Sequence, residues 1–334
     1  MSDILCTCWQ LGFVLENITM QKNIELAFIS DDKYVLPLVV AITSLKLHLH
    51  PEYQYHLHII CVDMSAENEL LLQVQSWQNL SIRLIKVQHD WEHGFDRKEL
   101  HASSAALQKF NLPLTLKELD KVLYLDCDII IQNDLVAFYE IDITDYYGAA
   151  VPDGPRTRNL HGNRKHAYSL KPDYFNSGVM LLNLKLLREQ GMPQKLLAYK
   201  QQEYNYFMDQ DAFNVVLEGK MLMLPLYYNV QLNLFAPNWE VNSLEELARF
   251  YKMEEVDSYE RYFDSGFIIH YTTEKPWRYY DSLLAEKWAF YYKYSSLGKI
   301  PLCRKSMFAD NRSYKLGAAL LYLPKRLKRL LEEL

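Results

Sequence analysis

Cysteine is scarce in this 334-residue chain: Cys6, Cys8, Cys61, Cys127 and Cys303 form no even disulfide framework. No second Cys or His pair follows Cys6 and Cys8 at a zinc spacing, which argues against a structural zinc site. A reducing compartment is therefore expected rather than a secreted one. Long apolar runs are also missing; no window holds 18 uninterrupted apolar residues, so no membrane-spanning helix is expected. The N-terminus lacks a cationic region and carries Asp3 and Glu16, which argues against a signal peptide. Excess positive charge is absent too. With 36 basic against 42 acidic residues the net charge is −6, which excludes a general nucleic-acid binder. Neither an internal repeat nor a low-complexity linker divides the chain.

What remains is material for one large folded unit: 49% hydrophobic and 23% charged residues, with 25 tyrosines to fill a core and its rim. The hydrophobic pattern alternates strand and helix. Ile24–Ile29 reads as a strand ended by Ser30-Asp31-Asp32, and Tyr34–Leu47 as a helix. Tyr55–Val62 is a second strand, followed by a helix from Ser65 to Trp77 with Ser65 as its N-cap, and Ser81–Val87 is a third strand. Such alternation predicts an α/β fold with a mostly parallel central sheet flanked by helices. Further on, Phe175–Asn183 reads as a strand, 184–200 and 209–218 as helices, and 220–224 and 266–271 as strands. Val151–Asp173, rich in Pro, Gly, Asn, Arg and Lys, reads as a long loop that closes over a ligand.

The segment YLDCDII, Tyr124–Ile130, carries the most specific chemistry. Read as one buried strand, it projects Asp126 and Asp128 from the same face, because side chains at i and i+2 share a side. Two like charges on a dry element raise each other's pKa, and a divalent cation between them removes that penalty. In parallel sheets ligands bind beyond the C-terminal strand ends. Asp31-Asp32 and Asp126/Asp128 both fall there, so one crevice is expected to hold them.

Four segments in order, FISDDKYVLPLVVAITSL (28–45), KVLYLDCDIIIQNDL (121–135), YFNSGVMLLNLKLLR (174–188) with MDQDAFN (208–214), and IIHYTTEKPW (268–277), resemble the family-8 glycosyltransferases. These are retaining enzymes that include bacterial lipooligosaccharide galactosyltransferases and lipopolysaccharide glucosyltransferases. The resemblance runs from about residue 23 to 290. It implies a GT-A nucleotide-sugar transferase fold and transfer of glucose or galactose from a UDP-hexose to a glycan or glycolipid acceptor. It also implies Mn²⁺ or Mg²⁺ on the pyrophosphate, held by Asp126, Asp128 and His270, a set that suits a hard cation. By the same resemblance Asp31, Lys33 and Tyr34 meet the nucleoside, and Lys109, in place of an arginine, meets the donor phosphates with Leu107 in place of a tyrosine. Asp126 and Cys127 of the DxD segment, Asn176 and Lys275 complete the donor contacts. Asp209 and Gln210 fall at the sugar and the reacting face of its anomeric carbon, as the catalytic positions. Asp153 and Asp211 are spare carboxylates for the acceptor. The step from His270 to Lys275 lacks the family's glycine and is one residue shorter.

Two other readings fit parts of the chain. A phosphohydrolase of the haloacid dehalogenase type also has DxD after an apolar strand, but there the motif usually opens the chain. A non-catalytic sugar-nucleotide binder would keep the fold without turnover. The expected organisation is an N-terminal extension (1–22), a catalytic domain (23–300) and a basic tail (301–334). Residues 303–334 carry eight basic and three acidic side chains, and Leu327, Leu330, Leu331 and Leu334 fall on one helical face. The tail therefore reads either as an amphipathic segment for an anionic membrane surface, with the protein cytoplasmic and peripheral on the inner face, or as a helix packed on the catalytic domain or a second subunit.

Overall fold

The computed structural model describes residues 22–87, 104–154, 173–202, 209–235 and 243–307. The N-terminal extension, most of the expected 151–173 loop and the tail beyond Met307 lie outside the described residues. The first half follows the sequence reading: β1 (Lys22–Ser30), α1 (Val35–Lys46), β2 (Tyr53–Val62), α2 (Ala66–Gln73) and β3 (Leu80–Val87). Ser65 caps α2 by accepting from Asn68 N–H. The chain continues through α3 (Ser104–Thr115), β4 (Lys121–Leu125), β5 (Ile129–Ile131), α4 (Val136–Tyr139) and β6 (Gly148–Pro152). Then come β7 (Phe175–Asn183), α5 (Leu184–Glu189), α6 (Met192–Gln202), α7 (Asp209–Val216), β8 (Met221–Met223) and β9 (Val230–Gln231). The last elements are α8 (Leu244–Tyr251), α9 (Tyr259–Ser265), β10 (Ile268–His270) and α10 (Ala285–Tyr294). No helix among the described residues is long and apolar enough to cross a membrane.

Two expectations need correction. The apolar run around YLDCDII is not one strand: it breaks at Asp126–Asp128, and β4 and β5 belong to different sheets. The i, i+2 argument therefore does not apply, and the carboxylates meet because the chain changes sheets between them. The helix expected over 184–200 is two helices, interrupted at Gly191, whose φ of 63° is open to glycine and costly for other residues.

The main sheet has the order β3-β2-β1-β4-β7-β6-β8. β7 is antiparallel to β4 and β6, the other pairings are parallel, and so β7 runs against the remaining six strands. That reversal positions the site. It carries the start of β7, Asn176–Gly178, to the end of the sheet where β1, β4 and β6 finish, since Val179 pairs with Leu125. A smaller sheet, β5-β10-β9, sets His270 opposite Ile129, one residue past Asp128. Apolar side chains pack both faces of the main sheet, α1 and α10 on one side and α3, α5, α6 and α7 on the other.

The smaller sheet is tied to α1 by Ser44. Its buried hydroxyl donates to Ala41 O at 2.7 Å and accepts from Ile131 N–H at 2.8 Å. Replacing Ser44 with Ala removes that acceptor from a buried peptide group. The expected loss of unfolding free energy is about 1–3 kcal/mol, read from urea denaturation.

Candidate functional site

The chain switch at Asp126–Asp128, the start of β7, the end of β6, the first turn of α7 and the end of β10 line one open cleft of about 280 Å³. Asp126, Asp128 and His270 each bring a ligand atom to it, all within 4.8 Å of one another. His270 Nε2 lies 3.2 Å from Asp128 Oδ1 and 3.9 Å from Asp126 Oδ2. Backbone bonds set this convergence: Asp126 N–H donates to Gly178 O at 2.7 Å and Tyr271 N–H to Asp128 O at 2.9 Å. Gly178 is what permits it. A Cβ there would stand 2.3 Å from His270 Cε1 and 2.6 Å from Asp126 Oδ2, closer than atoms approach.

Two lysines balance the carboxylates. Lys109, buried on α3, sits 3.1 Å from Asp126 Oδ1 and 2.9 Å from Asp209 Oδ2, with its ammonium 5.0 Å from the Tyr124 ring centre. Burial works against that charge, but Asp126 and Asp209 outweigh it and hold Lys109 above its ordinary value. Lys275 bonds Asp128 Oδ2 at 2.7 Å and also the Tyr271 carbonyl. The two carboxylates are driven apart as a result. Burial pushes Asp126 up, against the pull of Lys109. Burial acts on Asp128 as well, but Lys275 and His270 overcome it and hold that carboxyl well below the usual range.

Asn176, Ser177, Asp209, Gln210 and Asp153 form a buried network. Gln210 Nε2 donates to Asp153 Oδ2 at 2.7 Å, and Gln210 Oε1 accepts from Ser177 N–H at 3.1 Å and Asn176 Nδ2 at 3.2 Å. Ser177 Oγ donates to Asp209 Oδ2 at 2.8 Å. Burial raises Asp153 to about 6, although hydrogen bonds from Gln210 and Asn233 oppose the shift. Asp211 is taken up structurally, accepting from Tyr174 OH at 2.6 Å.

Asp31, Lys33 and Tyr34, expected from the sequence to meet a nucleoside, stand together in the turn after β1. Asp31 Oδ1 accepts from the backbone N–H groups of Lys33 and Tyr34 and so shapes the turn after β1. Lys33 is exposed; Tyr34 packs edge-on to Trp277, with ring centres 6.3 Å apart. Asp32 turns away, capturing Ser65 and Asn68 at the start of α2. The Cys127 thiol is buried and donates to Ile29 O at 3.3 Å, so any donor contact at that position falls to its backbone. Sequence reasoning missed Tyr124, whose hydroxyl donates to Asp126 Oδ1 at 2.5 Å, and it missed Asn229 and Asn233. Tyr124 lies in the quoted motif, two residues before Asp126; the two asparagines carry no local signal.

A mostly parallel sheet with a paired-carboxylate and histidine cluster at its C-terminal edge is the architecture of a GT-A glycosyltransferase. The model of glycosyl transferase family 8 matches residues 25–281, and the chain belongs to that family. Glycosyltransferase GlyF of Streptococcus pneumoniae serotype 4 is 27% identical over 277 residues, 81% of this chain and 61% of GlyF. The chain thus spans less than two thirds of that relative. A lipopolysaccharide 1,2-glucosyltransferase of Escherichia coli K12 is 26% identical over 284 residues, covering 84% of this chain and 78% of that protein. The solved galactosyltransferase LgtC, in complex with donor and acceptor sugar analogues, superposes with a TM-score of 0.62 at 22% identity, over 82% of this chain and 96% of LgtC. That last likeness is one of fold.

Because Gly178 sets the spacing of the cluster, Gly178→Ala is expected to spread Asp126 from His270. Mn²⁺ affinity, measured by isothermal titration, is expected to fall at least about tenfold, the scale of a disturbed ligand support. Unchanged affinity in the folded variant would show that the close approach is not needed.

Proposed function

We propose that the protein is a retaining hexosyltransferase that moves glucose or galactose from a UDP-sugar to a glycan acceptor, lipopolysaccharide or another cell-surface glycan. The observation that carries this reading is the Asp126, Asp128 and His270 cluster in one cleft with Asn176, Asp209 and Gln210. Two carboxylates and an imidazole suit Mn²⁺, and the Gly178 backbone leaves room for all three ligands. Bound there, such an ion acts as a Lewis acid toward the pyrophosphate leaving group.

The chain's own residues supply the rest. Lys109 and Lys275 now face Asp126 and Asp128, and each can turn its ammonium toward donor phosphates once those carboxylates are otherwise neutralised. Asp31 and Tyr34 at the rim receive the nucleoside, and Asn176 and Asp209 orient the sugar. Two-carboxylate retention needs a nucleophile beside the anomeric carbon. The Gln210 amide is a poor one, and its oxygen already accepts two hydrogen bonds, which supports displacement on the front face assisted by the departing phosphate. Asp153, ionising at about 6, is suited to receive the acceptor hydroxyl. A panel of UDP-sugars is expected to show UDP release that requires Mn²⁺ and is abolished by EDTA. Asp128→Asn is expected to lower turnover at least about a hundredfold with the fold intact, on the scale of a lost charge-stabilising group. Turnover unaffected by EDTA overturns the metal reading, and donor binding without release returns the non-catalytic one.

The basic tail supports a peripheral membrane role, since each basic residue near an anionic leaflet adds about 1 kcal/mol. Residues up to Met307 are held to the domain: Lys305 N–H donates to Arg278 O at 2.8 Å, and Asp281 accepts from Ser306 Oγ at 2.6 Å and from Met307 N–H at 2.8 Å. Truncation after Met307 therefore tests the tail alone. The full chain is expected to float with anionic vesicles at low salt and the truncated chain to stay in solution. Equal behaviour removes the membrane assignment.

A further inference from the structure

Asn229 is fully buried and touches His270 from the side away from the carboxylates. We infer that Asn229 is a positioning residue that fixes which ring nitrogen of His270 faces Asp126 and Asp128, as one link in a one-way chain of hydrogen bonds ending at Asp153. The inference rests on the reading of His270 as a metal ligand.

The direction of the chain follows from two peptide groups of β7. A backbone N–H only donates, so the Gln210 atom 3.1 Å from Ser177 N must be its oxygen. That leaves the Gln210 nitrogen to face the Asp153 carboxylate, at 2.7 Å. By the same rule the Asn176 atom 3.0 Å from Gly178 N is its oxygen, and the Asn176 nitrogen then donates to Gln210 Oε1 at 3.2 Å. The Asn176 oxygen also meets Asn229 at 3.0 Å, where a second oxygen would repel it, so Asn229 presents its nitrogen. Its oxygen is left for His270 Nδ1, at 3.2 Å. An oxygen there requires a proton on Nδ1.

Each link points the same way, from His270 through Asn229, Asn176 and Gln210 to Asp153. With one proton held at Nδ1, the proton that Nε2 shares with Asp128 Oδ1 at 3.2 Å is the one an ion would displace, which leaves the Nε2 lone pair on the carboxylate side. The β7 peptide groups that orient the amide at the reacting face thus also orient the metal-ligating ring. A sugar that turns Asn176 or Gln210 is felt at His270 through Asn229.

Long-range ¹H–¹⁵N correlation on protein labelled at histidine nitrogen tests the chain directly, with His270→Gln to assign the signal. Nδ1 carries a proton in both the neutral Nδ1–H ring and the imidazolium, so the readout does not depend on ring charge. The expected result is a protonated, slowly exchanging His270 Nδ1; a bare Nδ1 overturns the inference. In folded Asn229→Leu the protection of Nδ1 is expected to vanish and Mn²⁺ affinity to drop about 10–100-fold. Unchanged affinity also overturns it. If the leucine variant does not fold, Asn229→Ser, with a hydroxyl too short to span the two partners, is measured instead. Unsubstituted protein that keeps the Nδ1 proton yet binds no Mn²⁺ contradicts the metal reading while supporting the Asn229 chain.

Discussion

The site depends on one close approach, that of the Gly178 backbone to His270 and Asp126. His270 arrives on a three-residue strand of the smaller sheet, and Asp126 directly follows a strand of the larger one. Nothing local in either sequence brings them together. They meet across β7, because that strand runs against its neighbours and begins where theirs finish. With hydrogen as its side chain, Gly178 lets the two sheets close on a space small enough for a single cation. The reversed strand therefore does two jobs. Its peptide groups pair with β4, and near its start Ser177 N–H and Gly178 N–H supply the donors that orient the buried amides.

The cost of the cluster is electrostatic. Buried carboxylates repel one another and lose hydration, and buried ion pairs recover that loss only when every group is well placed. Here Lys109 is shared between Asp126 and Asp209, and Lys275 is held by Asp128 and the Tyr271 carbonyl. An arrangement of this kind contributes little to stability compared with apolar packing of the same volume. Under the proposed function its value lies in poise: two ammonium groups and two carboxylates would exchange partners when a phosphate and a cation arrive together. The opposite displacements of Asp126 and Asp128 express the same asymmetry, since each carboxylate has a different lysine and only Asp128 has close contact with both Lys275 and His270.

Much of this was legible in the sequence where the signal is local. The first three strands and the Ser65 cap follow from periodicity and residue type; the two carboxylates are plain in the sequence, but the change of sheets that brings them together is not. The break between β4 and β5 is not legible, because only Asp126-Cys127-Asp128 separates two apolar strands and the change of sheet leaves no mark on residue type. β9, two residues long, is too short to show a period, whereas β10 lies inside the strand expected over 266–271. The start of α8 is marked locally, by Ser243 and Glu246 at capping-box spacing. Asn229 could not have been found: its importance comes from lying between Asn176 and His270, which are distant in sequence and joined only by the sheets.

The segment from His270 to Lys275 shows how a departure from a family pattern is absorbed. A glycine in such a turn usually supplies a positive φ. Among the described residues, the positive φ values fall at Asp63, Gly154, Gly191, Gly219, Lys252 and Leu284, none of them in this turn. The shorter segment is instead closed by side chains. Thr272 Oγ1 donates to Asn233 Oδ1 at 2.8 Å and accepts from Asn233 N–H at 3.0 Å, which pins the turn to the stretch after β9. Lys275 then reaches back to the Tyr271 carbonyl and Asp128. Asn233 also bonds Asp153, so the turn that carries Lys275 is fastened to the carboxylate that ends the Gln210 network. Closed by side chains in place of a glycine, the turn thus links Lys275 to Asp153 across the cleft through Thr272 and Asn233.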